Sequence, residues 1–330
     1  MKIGIFSDAL RQDTADSITR LGQVGENTGN LIFFRAIDRL FRPRFISPEL
    51  ARPECAEEFY DCDAFLTTEL IWVREGEDFP SLERTLSLIG DRPLIPVSVG
   101  LQADVGRSDF FLSPRTLRLL SALSERCVIG TRGSYTAEVL SSHGVKRLRP
   151  IGCPSVFYKH RYRFPKPQAD PKTVCGFSTL WRDLRENELT LLRYFMRYDL
   201  PLVEQTGLYS FAQHAEFDAW LTARRRLFLS TAEWDRFLSE FDFYLGMRFH
   251  GGIAAMQKGL RALFITSDSR TAELCEFFRL PSIPLCEFDP ATSPSQYMHA
   301  ASPHRFLQAL PALEENLKEF ALENGLTIRI

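Results

Sequence analysis

The residues best suited to chemistry lie in the segment Gly246-Met-Arg248-Phe-His250-Gly251. The apolar run 241–245 predicts a buried strand, and the small residues that follow predict a helix beginning near Gly251. An arginine in such a turn can hold a carboxylate or a phosphate, and a helix N-terminus favours the same charge. A histidine beside it can exchange protons near neutral pH. Arg248 and His250 are therefore the candidate catalytic pair, and Gly251 is a candidate backbone contact; the alternative is a merely solvated surface turn.

Two further turns place arginines after predicted strands. Arg132 follows the run 127–131, and Ser134 is placed to cap the next helix. After the run 262–266, Asp268 is expected to cap a helix, and Arg270 either reaches a ligand or pairs with Glu273 on its own helix. Arg132, Ser134, Asp268 and Arg270 are thus candidate substrate-binding residues, with ordinary capping and pairing as the alternative.

Two glycine-containing turns complete the candidate set. Asn27, Gly29 and Asn30 precede a predicted helix that Thr28 is placed to cap, and the spacing fits neither a dinucleotide motif nor a P-loop. A capped turn is the first interpretation, and an anion or sugar contact is the second. Gly100 and Gln102 follow the predicted strand 94–99, where a ligand contact competes with simple turn chemistry.

Short apolar runs alternate with helical patterns throughout the chain. The runs lack two-residue alternation, as is typical of strands covered on both faces of a parallel sheet. The pattern therefore predicts an α/β fold with doubly wound sheets. The predicted strands are 3–6, 65–68, 94–99, 127–131, 148–151, 174–178, 202–205, 241–245, 262–266 and 283–285. The predicted helices are 29–41, 80–89, 114–126, 134–143, 184–198, 212–226, 232–240, 251–258, 269–278 and 303–323.

A proline-rich, charged segment at 159–173 predicts a linker between two domains, 1–158 and 174–330. Ligands of doubly wound sheets bind outside the carboxyl ends of the strands, so a cleft between the domains is the expected site. Trp181 and Arg182 follow the strand 174–178, where an aromatic platform would suit a sugar and core packing is the alternative.

Composition excludes several classes of protein. The 330 residues are 45% hydrophobic and 25% charged, with a net charge of −2, which fits a globular protein and not a basic nucleic-acid scaffold. No apolar run approaches the ~18 residues of a membrane span, and the N-terminus does not read as a signal peptide. The seven cysteines form no C-x-x-C pair, which argues against a disulfide framework and against a structural zinc site. The expected compartment is therefore the reducing cytoplasm. The histidines show no metal-binding spacing either.

At these residues the sequence resembles the polysaccharide pyruvyl transferase family. The similar blocks are Asn27-Thr-Gly29-Asn30-Leu, Arg132-Gly-Ser134-Tyr-Thr136, Gly152-Cys-Pro-Ser155 and Gly246-Met-Arg248-Phe-His250. The resemblance implies two Rossmann-like domains arranged as in GT-B glycosyltransferases, with the acceptor on the first and the donor on the second. It also implies a phosphoenolpyruvate donor and a sugar or lipid-linked glycan acceptor that becomes a pyruvate ketal, in exopolysaccharide or cell-surface glycan synthesis. By position, Arg132, Arg248 and His250 match the residues that the family uses around the donor.

The expected partners are therefore small molecules and glycans, with no nucleic acid, no membrane span and at most a peripheral association with a membrane. No metal or cofactor is needed for this scheme. Two other functions stay open: a nucleotide-sugar glycosyltransferase of the same architecture, and a non-catalytic glycan-assembly protein that would tolerate the loss of His250.

Overall fold

The computed structural model describes residues 1–10, 16–105, 109–177, 183–206 and 214–330. These residues form twelve strands, and all strand pairs in the sheets are parallel. In chain order the strands are β1 (Ile3–Phe6), β2 (Arg44–Ile46), β3 (Ala64–Thr67), β4 (Leu94–Pro96), β5 (Ile129–Thr131), β6 (Leu148–Pro150), β7 (Thr173–Gly176), β8 (Leu202–Glu204), β9 (Arg225–Leu227), β10 (Phe243–Gly246), β11 (Arg261–Thr266) and β12 (Ser282–Pro284). The predicted α/β class with parallel sheets is confirmed.

Twelve α-helices accompany the strands in the same residues. They are α1 (Ser17–Gln23), α2 (Gly29–Phe41), α3 (Pro80–Ile89), α4 (Pro114–Arg126), α5 (Ser134–Ser142), α6 (Glu186–Arg197), α7 (Asp218–Arg224), α8 (Thr231–Leu238), α9 (Phe249–Lys258), α10 (Ser269–Phe277), α11 (Pro294–Ala300) and α12 (His304–Glu323). None of these helices is long and apolar enough to cross a membrane.

The two halves of the chain build separate sheets. In the first half the order is β2-β1-β3-β4, and the pair β5-β6 continues it through a parallel bridge between Val99 and Thr131. In the second half the order is β9-β8-β7-β10-β11-β12, so the direction of winding reverses between β7 and β10. Such a reversal opens a crevice at the carboxyl ends of the two strands, where α/β proteins bind ligands. The segment with Arg248 and His250 leaves β10 at this point.

Helix α2 shows how the sequence pattern becomes packing. Its apolar residues repeat with helical spacing, and Leu31, Ile37 and Leu40 are almost completely buried. Thr28 occupies the N-cap position as predicted, but its backbone is helical and its side chain makes no capping hydrogen bond. Instead, Oδ1 of Asn27 accepts a hydrogen bond from the Gly29 amide at 3.0 Å. The prediction that Thr28 caps the helix is therefore wrong.

Residues 225–227 correct the prediction of one helix over 212–226. Helix α7 ends at Arg224, and the next three residues form the edge strand β9, paired with β8. Residues 212 and 213 lie outside the described residues. Strand β9 carries two arginines and an exposed leucine, because one of its edges faces solvent. Its sequence therefore lacks the apolar run that identifies an interior strand.

The last helix, α12, packs against the first half of the chain. The Asn324 side chain, just after the helix, pairs with both the N–H and the C=O of Val128, at 2.8 and 3.1 Å. Arg149 forms ion pairs with Glu319 and Glu323, each at 2.7 Å. The largest apolar cluster contains residues from both sheets and from α12. The halves of the chain therefore share a hydrophobic core.

Candidate functional site

Arg248 joins the ends of three neighbouring strands. It is the N-cap residue of α9, which begins at Phe249, two residues before the predicted start. Its Nε donates to the Phe177 carbonyl at 2.9 Å, just after β7, and a terminal nitrogen donates to Thr206 Oγ1 at 2.5 Å, just after β8. These bonds hold the guanidinium across the crevice where the winding of the sheet reverses. Burial lowers the pKa of Arg248, while the nearby Glu204 raises it.

His250 lies in the first turn of α9 and is 8% exposed. Its Nε2 is 3.4 Å from Sγ of Cys153, which in turn is 3.1 Å from Oγ of Ser155. Burial lowers the pKa of His250 to about 3, and the positive charges of Arg132, Arg270 and Arg248 add to the effect. The imidazole is therefore neutral at pH 7 in the ligand-free protein. Three arginines from separate turns act on one histidine.

Arg132 reaches this site from the first half of the chain. It follows β5 and is 5% exposed, and its side chain lies against Gly100, where a Cβ atom would come within 3.0 Å of Nε. That Nε donates to the Ser98 carbonyl at 3.3 Å. No carboxylate among the described residues forms an ion pair with Arg132. Burial lowers its pKa to about 10, and the like charge of Arg270 contributes. Gly100 thus has a role that the sequence did not show: it makes room for this arginine.

Ser98 turns its carbonyl toward Arg132 through an unusual backbone conformation. Its φ is +67°, in the left-handed region that serine rarely adopts. The residue is completely buried, and its hydroxyl has no hydrogen-bond partner among the described residues. Such strain costs about 1–3 kcal/mol and persists where the surrounding structure enforces it.

The turn after β11 supplies the third arginine. Asp268 caps α10 as predicted, and its Oδ1 accepts from the Thr271 amide at 2.8 Å. A terminal nitrogen of Arg270 lies 3.6 Å from Oδ2 of Asp268, while its Nε is buried without a partner among the described residues. The alternative pairing of Arg270 with Glu273 is wrong, because both oxygens of Glu273 bind Thr136.

Positive charge dominates this cluster. The nearby carboxyl groups are Asp268, Glu204 and Glu273. Burial raises the pKa of Glu204. Burial also raises the pKa of Glu273 to about 7, so Glu273 does not oppose the arginines with a fully established charge at neutral pH. A partly buried set of guanidiniums in this state favours a multiply charged anion.

The N-terminus of α2 meets the N-terminus of α9 beside His250. A Cβ atom on Gly29 would lie 3.2 Å from Cβ of His250 and would clash with Oε1 of Gln205. A Cβ atom on Gly251 would lie 2.7 Å from Nε2 of the same Gln205. The buried Gln205 amide is therefore wedged between the two helix ends. The space beside Gly251, predicted as a ligand contact, holds this amide and the Tyr244 hydroxyl instead.

The remaining predicted residues contribute less to the cluster. Nδ2 of Asn30 donates to the Val24 carbonyl at 2.8 Å, so this side chain holds its own turn, as Asn27 does. Gln102 is half-buried, and its backbone N–H donates to the Val73 carbonyl at 2.8 Å. Ser134 is exposed and does not cap α5, whose N-cap residue is Gly133; that prediction is wrong. Trp181 and Arg182 lie outside the described residues.

Several residues of the site were not among the sequence candidates, and Glu204, Gln205 and Cys153 are examples. Glu204 and Gln205 stand at the end of β8, so a search of every strand end would have found them. Cys153 lies 97 residues before His250, and no local pattern connects the two.

Known families and solved structures that are similar to this chain bear on its fold and its family. A family model described as polysaccharide pyruvyl transferase matches residues 82–269, more than half of the chain. No curated protein sequence matches the chain significantly. Among solved structures, UDP-GlcNAc 2-epimerase from Neisseria meningitidis bound to UDP-GlcNAc is similar with a TM-score of 0.50 and 13% identity, over 97% of this chain and 100% of that chain. This likeness shows a shared fold.

Two other solved structures are similar at lower TM-scores. S. aureus MnaA in a co-structure with UDP is 15% identical over 99% of this chain and 92% of that chain, with a TM-score of 0.44. A protein from Listeria monocytogenes that is described as a UDP-N-acetylglucosamine 2-epimerase is 13% identical over 92% of this chain and 76% of that chain, with a TM-score of 0.43.

Proposed function

The chain belongs to the polysaccharide pyruvyl transferase family, and from this premise we propose that it transfers the enolpyruvyl group of phosphoenolpyruvate to a sugar as a pyruvate ketal. A transferase of this family acts on a sugar or glycan acceptor. The observation that carries the choice of donor is the convergence of Arg132, Arg248 and Arg270 on His250. Phosphoenolpyruvate carries both a carboxylate and a phosphate, and planar guanidiniums bind both groups well.

The chemistry of ketal formation balances with these residues. Two sugar hydroxyls form bonds to C2 of the enolpyruvyl group, the C2–O bond to phosphate breaks, and the methylene carbon becomes a methyl group. The two hydroxyl groups lose two protons in total. One of these is balanced by the proton that the methylene carbon gains, and the second is carried away by the released phosphate. His250 is the group in the cluster that can deliver a proton to carbon or to the departing phosphate.

The charge on His250 depends on the donor in this proposal. Without an anion, burial and the three arginines keep the pKa of the imidazole at about 3. A bound trianionic donor compensates the guanidinium charges and raises that pKa. Donor binding therefore favours the protonated imidazole, whereas the imidazole of the empty site carries no extra proton to donate at neutral pH.

We also propose the larger arrangement in which this reaction takes place. Residues 1–158 and 174–330 act as two Rossmann-like domains of a GT-B-like enzyme, joined by 159–173, with the acceptor bound mainly by the first and the donor by the second. The two separate sheets and the arginines from both halves support this division. All seven cysteines are unpaired, which supports a cytoplasmic enzyme that modifies exopolysaccharide or cell-surface glycan precursors.

The test is phosphate release from phosphoenolpyruvate by the wild-type protein, against activated galactose, glucose and N-acetylmannosamine acceptors. Acceptor-dependent phosphate release, with a product heavier by one pyruvate ketal, is the expected result. Activity should persist with a chelator present, because the proposed reaction uses arginines to compensate the charge of the donor and His250 to transfer the proton. Tight binding of a uridine nucleotide without phosphoenolpyruvate turnover would identify a nucleotide-sugar enzyme instead.

A further inference from the structure

Helix α10, from the second half of the chain, contacts two of the three first-half loops that carry candidate site residues, the loop with Gly100 and Gln102 and the turn with Arg132. Oγ of Ser269 donates to the Leu101 carbonyl at 2.8 Å and accepts from the Ala103 amide at 2.9 Å. The Ser269 amide also donates to the Ala103 carbonyl at 2.9 Å. The first turn of α10 therefore fixes the loop that follows β4.

One turn farther along α10, Glu273 binds the turn that carries Arg132. Oε1 of Glu273 accepts from the Thr136 amide at 2.7 Å, and Oε2 accepts from Thr136 Oγ1 at 2.8 Å. Thr136 is the third residue of α5, a helix whose own N-cap residue, Gly133, has no side chain. A carboxylate 137 residues away thus supplies the cap that α5 lacks.

Gly133 allows this close approach. A Cβ atom on Gly133 would clash with Cγ of Glu273, so the stem of the glutamate lies directly on the backbone of the turn. Glu273 is 4% exposed, which gives its side chain little freedom to move away. Both hydrogen bonds and the packing hold the backbone immediately after Arg132.

The geometry keeps this carboxylate from neutralising the arginine that it supports. Both oxygens of Glu273 are used by Thr136, and Arg132 has no ion-pair partner among the described residues. Within the described residues, Arg132 donates two hydrogen bonds: its backbone amide donates to the Val99 carbonyl, and its Nε donates to the Ser98 carbonyl. The position of the terminal guanidinium nitrogens therefore depends on the backbone of this turn.

We propose that Glu273 is a positioning residue, which holds the Arg132 turn against the second half of the chain so that Arg132 and Arg248 meet the same donor anion. The inference rests on the proposed function. A glutamate that only stabilised α5 would change the stability of the protein and leave donor binding by the folded fraction untouched. A misplacement of about 1 Å in a binding group, in contrast, costs up to about 100-fold in turnover.

The experiment compares Glu273→Ala, Glu273→Gln and the matched control Glu276→Gln, whose side chain is exposed on the same helix. Phosphoenolpyruvate affinity is measured by calorimetry at a temperature where each variant is folded, and exchange of the Thr136 amide hydrogen is followed in parallel. We expect Glu273→Ala to raise Kd by about 10- to 100-fold and to speed the exchange. Glu273→Gln keeps one acceptor and should have a smaller effect, and Glu276→Gln should match wild type.

The outcomes separate this inference from the proposed function. If the wild type fails to bind phosphoenolpyruvate, the proposed function is wrong. If the wild type binds it and Glu273→Ala binds it equally well, the positioning role is wrong and the proposed function stands. Should Glu273→Ala not fold, Thr136→Val removes the hydroxyl that donates to Glu273 and that accepts from the Leu101 amide at 3.3 Å, and it should also weaken donor binding. Thr136→Ser keeps that hydroxyl and must bind the donor with wild-type affinity.

Discussion

At the scale of single residues, His250 shows how far an environment can move a side chain from its ordinary chemistry. An isolated imidazole has a pKa of about 6.5 and suits proton transfer at neutral pH. In this fold burial and three arginines lower the pKa to about 3. The contact with Cys153 fixes the orientation of Nε2. The imidazole of His250 is therefore neutral in the ligand-free site, and a bound anion favours its protonated form, which can act as an acid.

Proton uptake on donor binding follows from that charge pattern. Because a bound anion raises the pKa of His250 above its ligand-free value, the complex at pH 8 should bind a fraction of a proton more than its separate components. Donor affinity should accordingly rise as the pH falls toward 7. Calorimetric titration of phosphoenolpyruvate in buffers of different ionisation enthalpy measures this uptake. The signal should be absent in His250→Ala, and an equal uptake in both proteins would disprove the coupling.

Removal of His250 tests its part in the reaction. With the proposed general acid lost, His250→Ala should lower kcat by roughly 10²–10⁴-fold. Donor affinity should fall much less, since the arginines supply most of the ground-state binding. Turnover and thermal stability are measured on one preparation, with the exposed His299→Ala as control. A destabilised variant with near-normal kcat would show that His250 is structural.

At the scale of elements, the site is built from chain segments that leave the carboxyl ends of parallel strands. In the turn after β4, the carbonyl of Ser98 accepts a hydrogen bond from Arg132. In the turn after β8, the side chain of Gln205 packs between the N-termini of α2 and α9. These turns depend on backbone conformation and on missing side chains more than on polar residues. Glycine and strained positions are therefore as important to the site as the charged groups.

Substitution of Ser98 tests the strained turn. Valine is β-branched and larger, so Ser98→Val should destabilise the protein by about 2 kcal/mol or more and weaken donor binding. Ser98→Gly relieves the left-handed strain, and the greater freedom of glycine in the unfolded chain offsets this by about 0.5–1 kcal/mol. Its stability and affinity should therefore stay near wild type. Denaturant unfolding and donor titration measure both, and a harmless Ser98→Val would argue against the enforced conformation.

At the scale of the whole molecule, the two halves of the chain contribute to one cluster. Arg132 comes from the first sheet, and Arg248 and Arg270 come from the second, yet all three act on His250. The shared hydrophobic core and the contacts of α12 with the first half hold the sheets in this relation. An anion bound among these arginines would therefore bridge both halves.

Paired arginine variants test this bridging. Arg132→Ala and Arg248→Ala should each weaken phosphoenolpyruvate binding by ~2–4 kcal/mol, because each removes a charge-assisted partner from a desolvated anion. The double variant should lose less than the sum, since the two groups hold one ligand. Calorimetric titration, with the exposed Arg118→Ala as control, measures the effects. Unchanged affinity in both single variants would end the donor-site hypothesis.

The sequence by itself determined the class of fold and the places where chemistry could occur. Apolar runs and helical spacing report local burial, so they identified the parallel sheets and the bounds of helices such as α2. They failed for the edge strand β9, where one edge is in water and no apolar run exists. The position of Arg132, Arg248 and His250 after strands was equally a local property, and the family likeness rested on the same turns.

Only the tertiary structure decided what these residues do to one another. The lowered pKa of His250, the cap that Glu273 provides to α5 and the amide of Gln205 between two glycines depend on atoms brought together across long stretches of chain. Thr28 and Ser134 were predicted as caps from their types and positions, but the adjacent Asn27 binds the first amide of α2, and the distant Glu273 caps α5. Electrostatic and hydrogen-bond partners depend on distances in space, which a pattern along the chain does not encode.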